Sequence, residues 1–172
     1  MFQRILVAID GSDPSAKALT AAADLAAKHG ARLDIVHVRM HGRPVEELER
    51  MAESEHIVAH VAPRALPTAM SNISTMSDLF ANAEHEARVV AEIGDRLLEA
   101  AARDAREAGA GDVKTHSLGG DYADGILDTA KDTGADLIVL GRRGLGRIRQ
   151  LVLGSVSNSV VQRAECAVLL VR

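Results

Sequence analysis

Residues 4–10 place five apolar side chains, Ile5, Leu6, Val7, Ala8 and Ile9, in one unbroken row ahead of Asp10. Such a row has no wet face, so it predicts a strand covered on both sides within a parallel sheet. The pattern then changes. Ser12 or Asp13 can cap the free amides of a helix, Pro14 suits its first turn, and Leu19, Ala22, Ala23 and Ala26 recur at helical spacing as far as Gly30. The same alternation returns along the chain. Residues 33–38 predict a second strand, and residues 113–118 a third, more polar one suited to a sheet edge. Between them a long helix is predicted from about residue 85 to 108, striped by Val90, Ile93, Leu97 and Ala101 and ended by Gly109 and Gly111. Asp121 can cap a helix with inner positions Ala123, Ile126, Leu127 and Ala130, stopped by Gly134. Residues 137–140 predict a buried fourth strand, Val156, Val160 and Ala164 a last helix, and residues 167–171 a fifth strand. Strands and helices alternating this regularly predict an α/β doubly wound sheet.

One stretch departs from the alternation. Residues 41–84 are far longer than the usual connection of a few residues, and read as an insertion within a single domain spanning residues 1–172. Residues 45–61 could form a charged helix, whereas residues 62–77, with two Pro and several Ser, Thr and Met, read as a loop. The chain is 47% hydrophobic and 26% charged, the balance of a globular protein with a buried core and a wet surface. With two Phe, one Tyr and no Trp, that core has to come from Val, Ile, Leu and Ala. The same poverty of rings, with a net charge of −4, argues against nucleic acid as a partner. No apolar run approaches the ~20 residues of a membrane span, and the first residues lack a signal-peptide pattern, so a cytoplasmic location is expected. The single Cys166 excludes an intramolecular disulfide and reads as a structural thiol.

The chemistry gathers after the fourth strand. There the sequence runs Gly141, two residues, Gly144, nine residues, then Gly154 and Ser155. Gly141 and Gly144 allow a sharp turn with no β-carbon to block a ligand, and Gly154 and Ser155 open a helix whose free amides and positive dipole end attract anions. Between them stand Arg142, Arg143, Arg147 and Arg149, a basic run in an acidic chain. Asp10 ends the first strand, at the carboxyl edge of the sheet, where open α/β sheets bind ligands, and an acid there suits ribose hydroxyls. It could also serve the cap of the first helix. Neither G-x-G-x-x-G after the first strand nor a G-x-x-x-x-G-K-[ST] loop is present, which removes the standard dinucleotide and P-loop readings.

The spacing from Gly141 to Ser155, the opening from Ile5 to Ser12 and the ending from Cys166 to Val171 together resemble the universal stress protein family, in its ATP-binding branch. The resemblance covers nearly all of the chain outside the insertion. It implies a Rossmann-like, five-stranded parallel sheet with helices on both faces, and a homodimer. It also implies a stress-response protein that binds ATP, AMP or ADP, with Mg²⁺ between phosphate oxygens. Asp10 would then contact ribose, and Ala8, Ile9 and Val38 would lie by the adenine. Gly141, Arg143 and Gly144 would line the phosphate approach, and Gly154, Ser155, Val156 and Ser157 would bind phosphates through amides and hydroxyls. Tyr122 and Ala167 stand where the family often has Pro, departures that lie outside the phosphate motif.

Other readings remain open at this point. Slow ATP hydrolysis or autophosphorylation at Ser155 or Ser157 is an alternative, although no general base is evident. A nucleotide-free interaction module is another, and an FMN carrier is disfavoured by the lack of rings. His56 and His60, with Glu53 nearby, share a helical spacing but lack a third metal ligand, and His37 reads as a packed or edge histidine rather than a catalyst. The apolar last strand suits pairing with a second copy, while any protein partner is unidentified.

Overall fold

Ile5, Leu6 and Val7 are wholly buried, and successive side chains of this strand enter different cores, as a strand between two helical layers requires. The computed structural model describes residues 2–39, 76–142 and 153–172. In chain order the elements are β1 (Arg4–Ala8), α1 (Asp13–His29), β2 (Arg32–Arg39), α2 (Met76–Glu107), β3 (Val113–Gly119), α3 (Tyr122–Thr133), β4 (Leu137–Gly141), α4 (Ser155–Arg163) and β5 (Ala167–Val171). The strands form one parallel sheet in the order β3-β2-β1-β4-β5. Ile5 lies between Leu33 of β2 and Leu137 of β4, which sets the register at the centre.

Each face carries its own core. On one, Ile5, Val7, Leu33, Ile35 and Val139 meet Ala18, Ala22 and Ala26 of α1 with Leu98, Ala101 and Ala105 of α2. On the other, Leu6, Val36, Ile138 and Leu140 meet Ala123, Ile126 and Ala130 of α3 with Val160 of α4. The small side chains let the helices sit close to the sheet.

The local signals fix most boundaries. Ser12 caps α1 by accepting from Ser15 N, and Asp121 caps α3 by accepting from Ala123 N and Asp124 N. Gly30 and Gly134 end those helices in the left-handed conformation, with φ of 62° and 63°. β3 is an edge strand, as its polarity predicts.

Two expectations need correction in detail. α2 starts at Met76 rather than near residue 85, so it takes in the end of the expected insertion and of the expected loop. Neither Gly nor Pro occurs from residue 68 to 93, so nothing local stops the helix from extending backward. The buried seam of α2 runs through Val90, Gly94, Leu98, Ala101 and Ala105, with Ile93 and Leu97 only flanking it. The helix expected over residues 45–61, and the metal candidates His56, His60 and Glu53, lie outside the described residues.

Candidate functional site

The helix that follows β1 and the helix that follows β4 leave these neighbouring strands toward opposite faces of the sheet. That divergence marks the topological switch point of the sheet, and the space beyond the carboxyl ends of the two strands is the usual ligand position in such sheets.

On the β1 side, Asp10 Oδ1 accepts from Ser12 N at 3.0 Å and from Ser12 Oγ at 2.6 Å. Ser12 Oγ in turn accepts from Ser15 N at 3.3 Å, so Asp10 holds the capping serine while remaining half-buried at the strand end. The two uses anticipated for Asp10, cap support and a place at the carboxyl edge, coexist in one geometry. Ile9 and Val38 are each 6% exposed, and their side chains enter different cores. Ile9 N donates to Val36 O at 2.9 Å, and Ile9 O accepts from His37 Nδ1 at 2.9 Å, so both polar backbone groups of Ile9 are engaged. Ala8 is partly buried against the α3/α4 core.

On the β4 side, Gly141 is buried where β4 passes the first turn of α1. A Cβ at this position would lie 2.8 Å from Pro14 C and 2.9 Å from Pro14 O, so the glycine is required by close approach of backbone. Arg142 N donates to Val171 O at 2.7 Å, and Gly154 N donates to Arg142 O at 3.1 Å, which brings the start of α4 back to the end of β4. Ser157 Oγ donates to Gly141 O at 2.9 Å and is 5% exposed. Its hydroxyl proton thus holds α4 to the strand, leaving the amide as what Ser157 can offer an anion.

The start of α4 differs chemically from those of α1 and α3. Gly154 stands at the N-cap without a side-chain hydrogen bond, and the first backbone bond of the helix is Asn158 N to Gly154 O at 2.9 Å. The amides of Ser155, Val156 and Ser157 have no partner among the described residues, and Ser155 is exposed. Free amides at the positive end of a helix dipole favour an anion. The fold thus joins Gly141 to Gly154–Ser157 and sets β1 with Asp10 alongside; Val38 lies on β2, the neighbour of β1. Arg143, Gly144, Arg147 and Arg149 lie outside the described residues.

A separate cavity of about 460 Å³ opens between β3 and α3. It is lined by His116 with Asp121, Asp124, Asp128 and Asp132, and this row of carboxylates disfavours phosphate. His116 Nε2 lies 2.8 Å from Oδ1 of Asp34, a carboxylate 1% exposed whose Oδ2 receives Arg32 Nε at 2.7 Å. These three residues satisfy one another across β2 and β3. Among the described residues, no cluster of three or more His, Cys, Asp or Glu is arranged to hold a metal, and no helix is long and apolar enough to cross a membrane.

Sequence reasoning missed two close approaches. Gly94 faces His37, and Gly125 faces Val38, where a Cβ would lie 2.8 Å from His37 Cδ2 and 2.9 Å from Val38 Cγ2 respectively. An isolated glycine inside a helical stripe was the available signal for each. Cys166 is half-buried beside the α3/α4 core, and burial, followed by the charge of Asp136, pushes its thiol pKa up, which fits a structural thiol.

Fold and site together define a doubly wound α/β protein whose last helix starts without a side-chain cap beside its topological switch point. The chain belongs to the universal stress protein family, whose model matches residues 1–172. It is 38% identical over 176 aligned residues to the universal stress protein YxiE of Bacillus subtilis, with all of both chains covered. A universal stress protein crystallised in complex with cAMP shares 26% identity at a TM-score of 0.60, covering 99% of this chain and 97% of that one. The universal stress protein UspA of Lactobacillus plantarum superposes at a TM-score of 0.70 with 24% identity, over 99% of this chain and 97% of that one.

Proposed function

We propose that this chain is a cytoplasmic, nucleotide-binding stress-response protein whose ligand is ATP, with ADP and AMP competing for the same adenosine end. The observation that carries this reading is the uncapped start of α4 beside the end of β4, where the amides of Ser155, Val156 and Ser157 have no partner among the described residues. Phosphate oxygens would accept from those amides, and the helix dipole would add to the attraction. Asp10, held by Ser12 at the end of β1, would accept from ribose hydroxyls. Ala8, Ile9 and Val38 would bound the adenine by van der Waals contact along the strand ends, because the side chains of Ile9 and Val38 lie in the cores. Gly141 contributes by keeping β4 close to α1, and the glycine motif assigns Arg143 and Gly144 to the phosphate approach. Mg²⁺ would enter with the phosphate oxygens, and no protein ligand for it is assigned among the described residues. The relative crystallised with cAMP supports an adenine nucleotide as the ligand class.

Occupancy would act by favouring one arrangement of a homodimer joined along β5. That edge strand leaves Leu169 37% exposed, and Val161 of the adjoining α4 is 42% exposed, an apolar edge suited to a twin strand.

Titration calorimetry of the full chain with ATP, ADP and AMP, each with and without Mg²⁺, tests the nucleotide reading. One equivalent should saturate the wild type. Gly154→Val, checked for folding by circular dichroism, should weaken ATP at least tenfold, because its side chain would stand over the amides. Equal affinity in that variant, or no saturation of the wild type by any of the three, overturns the proposal.

A further inference from the structure

His37 is a buried titratable group that the nucleotide reading leaves unused. Its side chain is 1% exposed on the α2 side of β2, and its Nδ1 lies 2.9 Å from Ile9 O. A carbonyl oxygen only accepts, so Nδ1 carries the proton and Nε2 of the neutral ring is a lone pair. Nε2 has no partner among the described residues. The surface facing it is glycine: a Cβ on Gly94 would lie 2.8 Å from His37 Cδ2 and 3.1 Å from Nε2. That separation leaves no room at this point for a side chain or a water molecule between ring and helix.

The neutral ring tolerates this surface, since an unpaired lone pair against a Cα carbon is a modest loss. The imidazolium does not. Its second N–H would point at glycine with no acceptor, and a buried charge without a hydrogen bond is costly.

We propose that His37 is a proton-sensitive latch between the carboxyl end of β1 and helix α2: neutral, it holds Ile9 and seats Gly94, and protonated, it drives α2 away from β2. Rotating α2 by one residue position, about 100° at ~3.6 residues per turn, would carry Asp95 toward the place of Gly94 and supply the missing acceptor. The charged groups around the ring are Asp10 beyond β1, Arg39 on β2 and Asp95 on α2, while its ladder partner on β3 is the uncharged Ser117. Burial is the largest influence and holds the imidazole below its ordinary value of 6.5; the bond to Ile9 O, Asp10 and Asp95 oppose it, and Arg39 assists. The folded protein therefore binds this proton less readily than the unfolded chain. The stabilisation is complete above pH 6.5 and is lost as pH falls from there through the lower folded value.

Nuclear magnetic resonance of the full chain between pH 7.5 and 5.0, without nucleotide, tests the latch separately from ligand binding. At neutral pH the ring should show the Nδ1–H tautomer, and it should titrate below 6.5. As it does, exchange protection of α2 amides should fall at least tenfold more than that of β4 amides. His37→Asn keeps an N–H for Ile9 O but cannot take up a proton, so protection of its α2 should not change over the same range. Should that variant fail to fold, the wild-type titration decides alone. Titration of His37 at or above 6.5, α2 unmoved by its protonation, α2 and β4 weakening together, or a pH response surviving in His37→Asn would each overturn the proposal.

Discussion

Ser12 takes a hydrogen bond from Ser15 N and gives one to Asp10 Oδ1, so one hydroxyl sets both the start of α1 and the aim of the carboxylate at the end of β1. Removing it should act on stability and site together. Ser12→Ala is expected to lose about 1 kcal/mol of unfolding free energy, the usual cost of an N-cap, measured by urea denaturation. Asp10 then keeps Ser12 N but loses the hydroxyl, and its carboxylate gains rotational freedom. A variant as stable as the wild type would mean that the cap is replaced locally. Side chains at this corner were legible in the sequence because Asp10, Ser12 and Pro14 lie within five residues of one another. The use of the Ser157 hydroxyl was not, since its acceptor, Gly141 O, belongs to a different element 16 residues away.

At the scale of elements, helix-to-sheet distance depends on Gly94 and Gly125 within the helices, as it does on Gly141 in β4. α3 approaches β2 at Gly125, where a Cβ would lie 2.9 Å and 3.0 Å from the two methyls of Val38. In an isolated helix Gly→Ala gains about 1 kcal/mol, whereas overpacking a core costs about 1–3 kcal/mol. Because valine is branched at Cβ and stiff, overpacking should win. Gly125→Ala is expected to lower stability, and Val38→Ala in the same chain to recover part of the loss, as a double-mutant cycle in urea would show. Additive effects would mean that the two sites do not touch. Strand positions, both capped helices and the polar edge of β3 could be read from the sequence because each signal is contained in its own element. The start of α2 and its seam could not. Helical propensity extends back to Met76 without a stop, and Gly94 belongs to the seam only because it meets His37, a residue distant in the chain. The trio of Arg32, Asp34 and His116 has the same character, since the hydrogen bond between His116 and Asp34 joins β2 to β3 over 82 residues.

Across the whole molecule, β5 closes one side of the sheet with an apolar strand whose outer edge has no neighbouring strand among the described residues. Leu169→Asp should turn the proposed homodimer into a monomer in sedimentation velocity while leaving the circular dichroism spectrum unchanged, since Leu169 is already 37% exposed. A dimer persisting in that variant would place the interface elsewhere. The other side of the molecule ends in β3, whose polar side chains do not invite a second sheet.

The central position of β1 has a consequence for how the protein is made. Arg4 N bonds Asp136 Oδ1 across 132 residues, and Ile5 rests beside Leu137, so β1 awaits one flank until β4, more than a hundred residues further along, has been translated. At ~5–20 residues per second the delay is on the order of ten seconds. Throughout it, the most apolar segment of the nascent chain presents an open flank that invites chaperone holding. No ligand can rescue the unfinished product, because the α4 amides arrive later still.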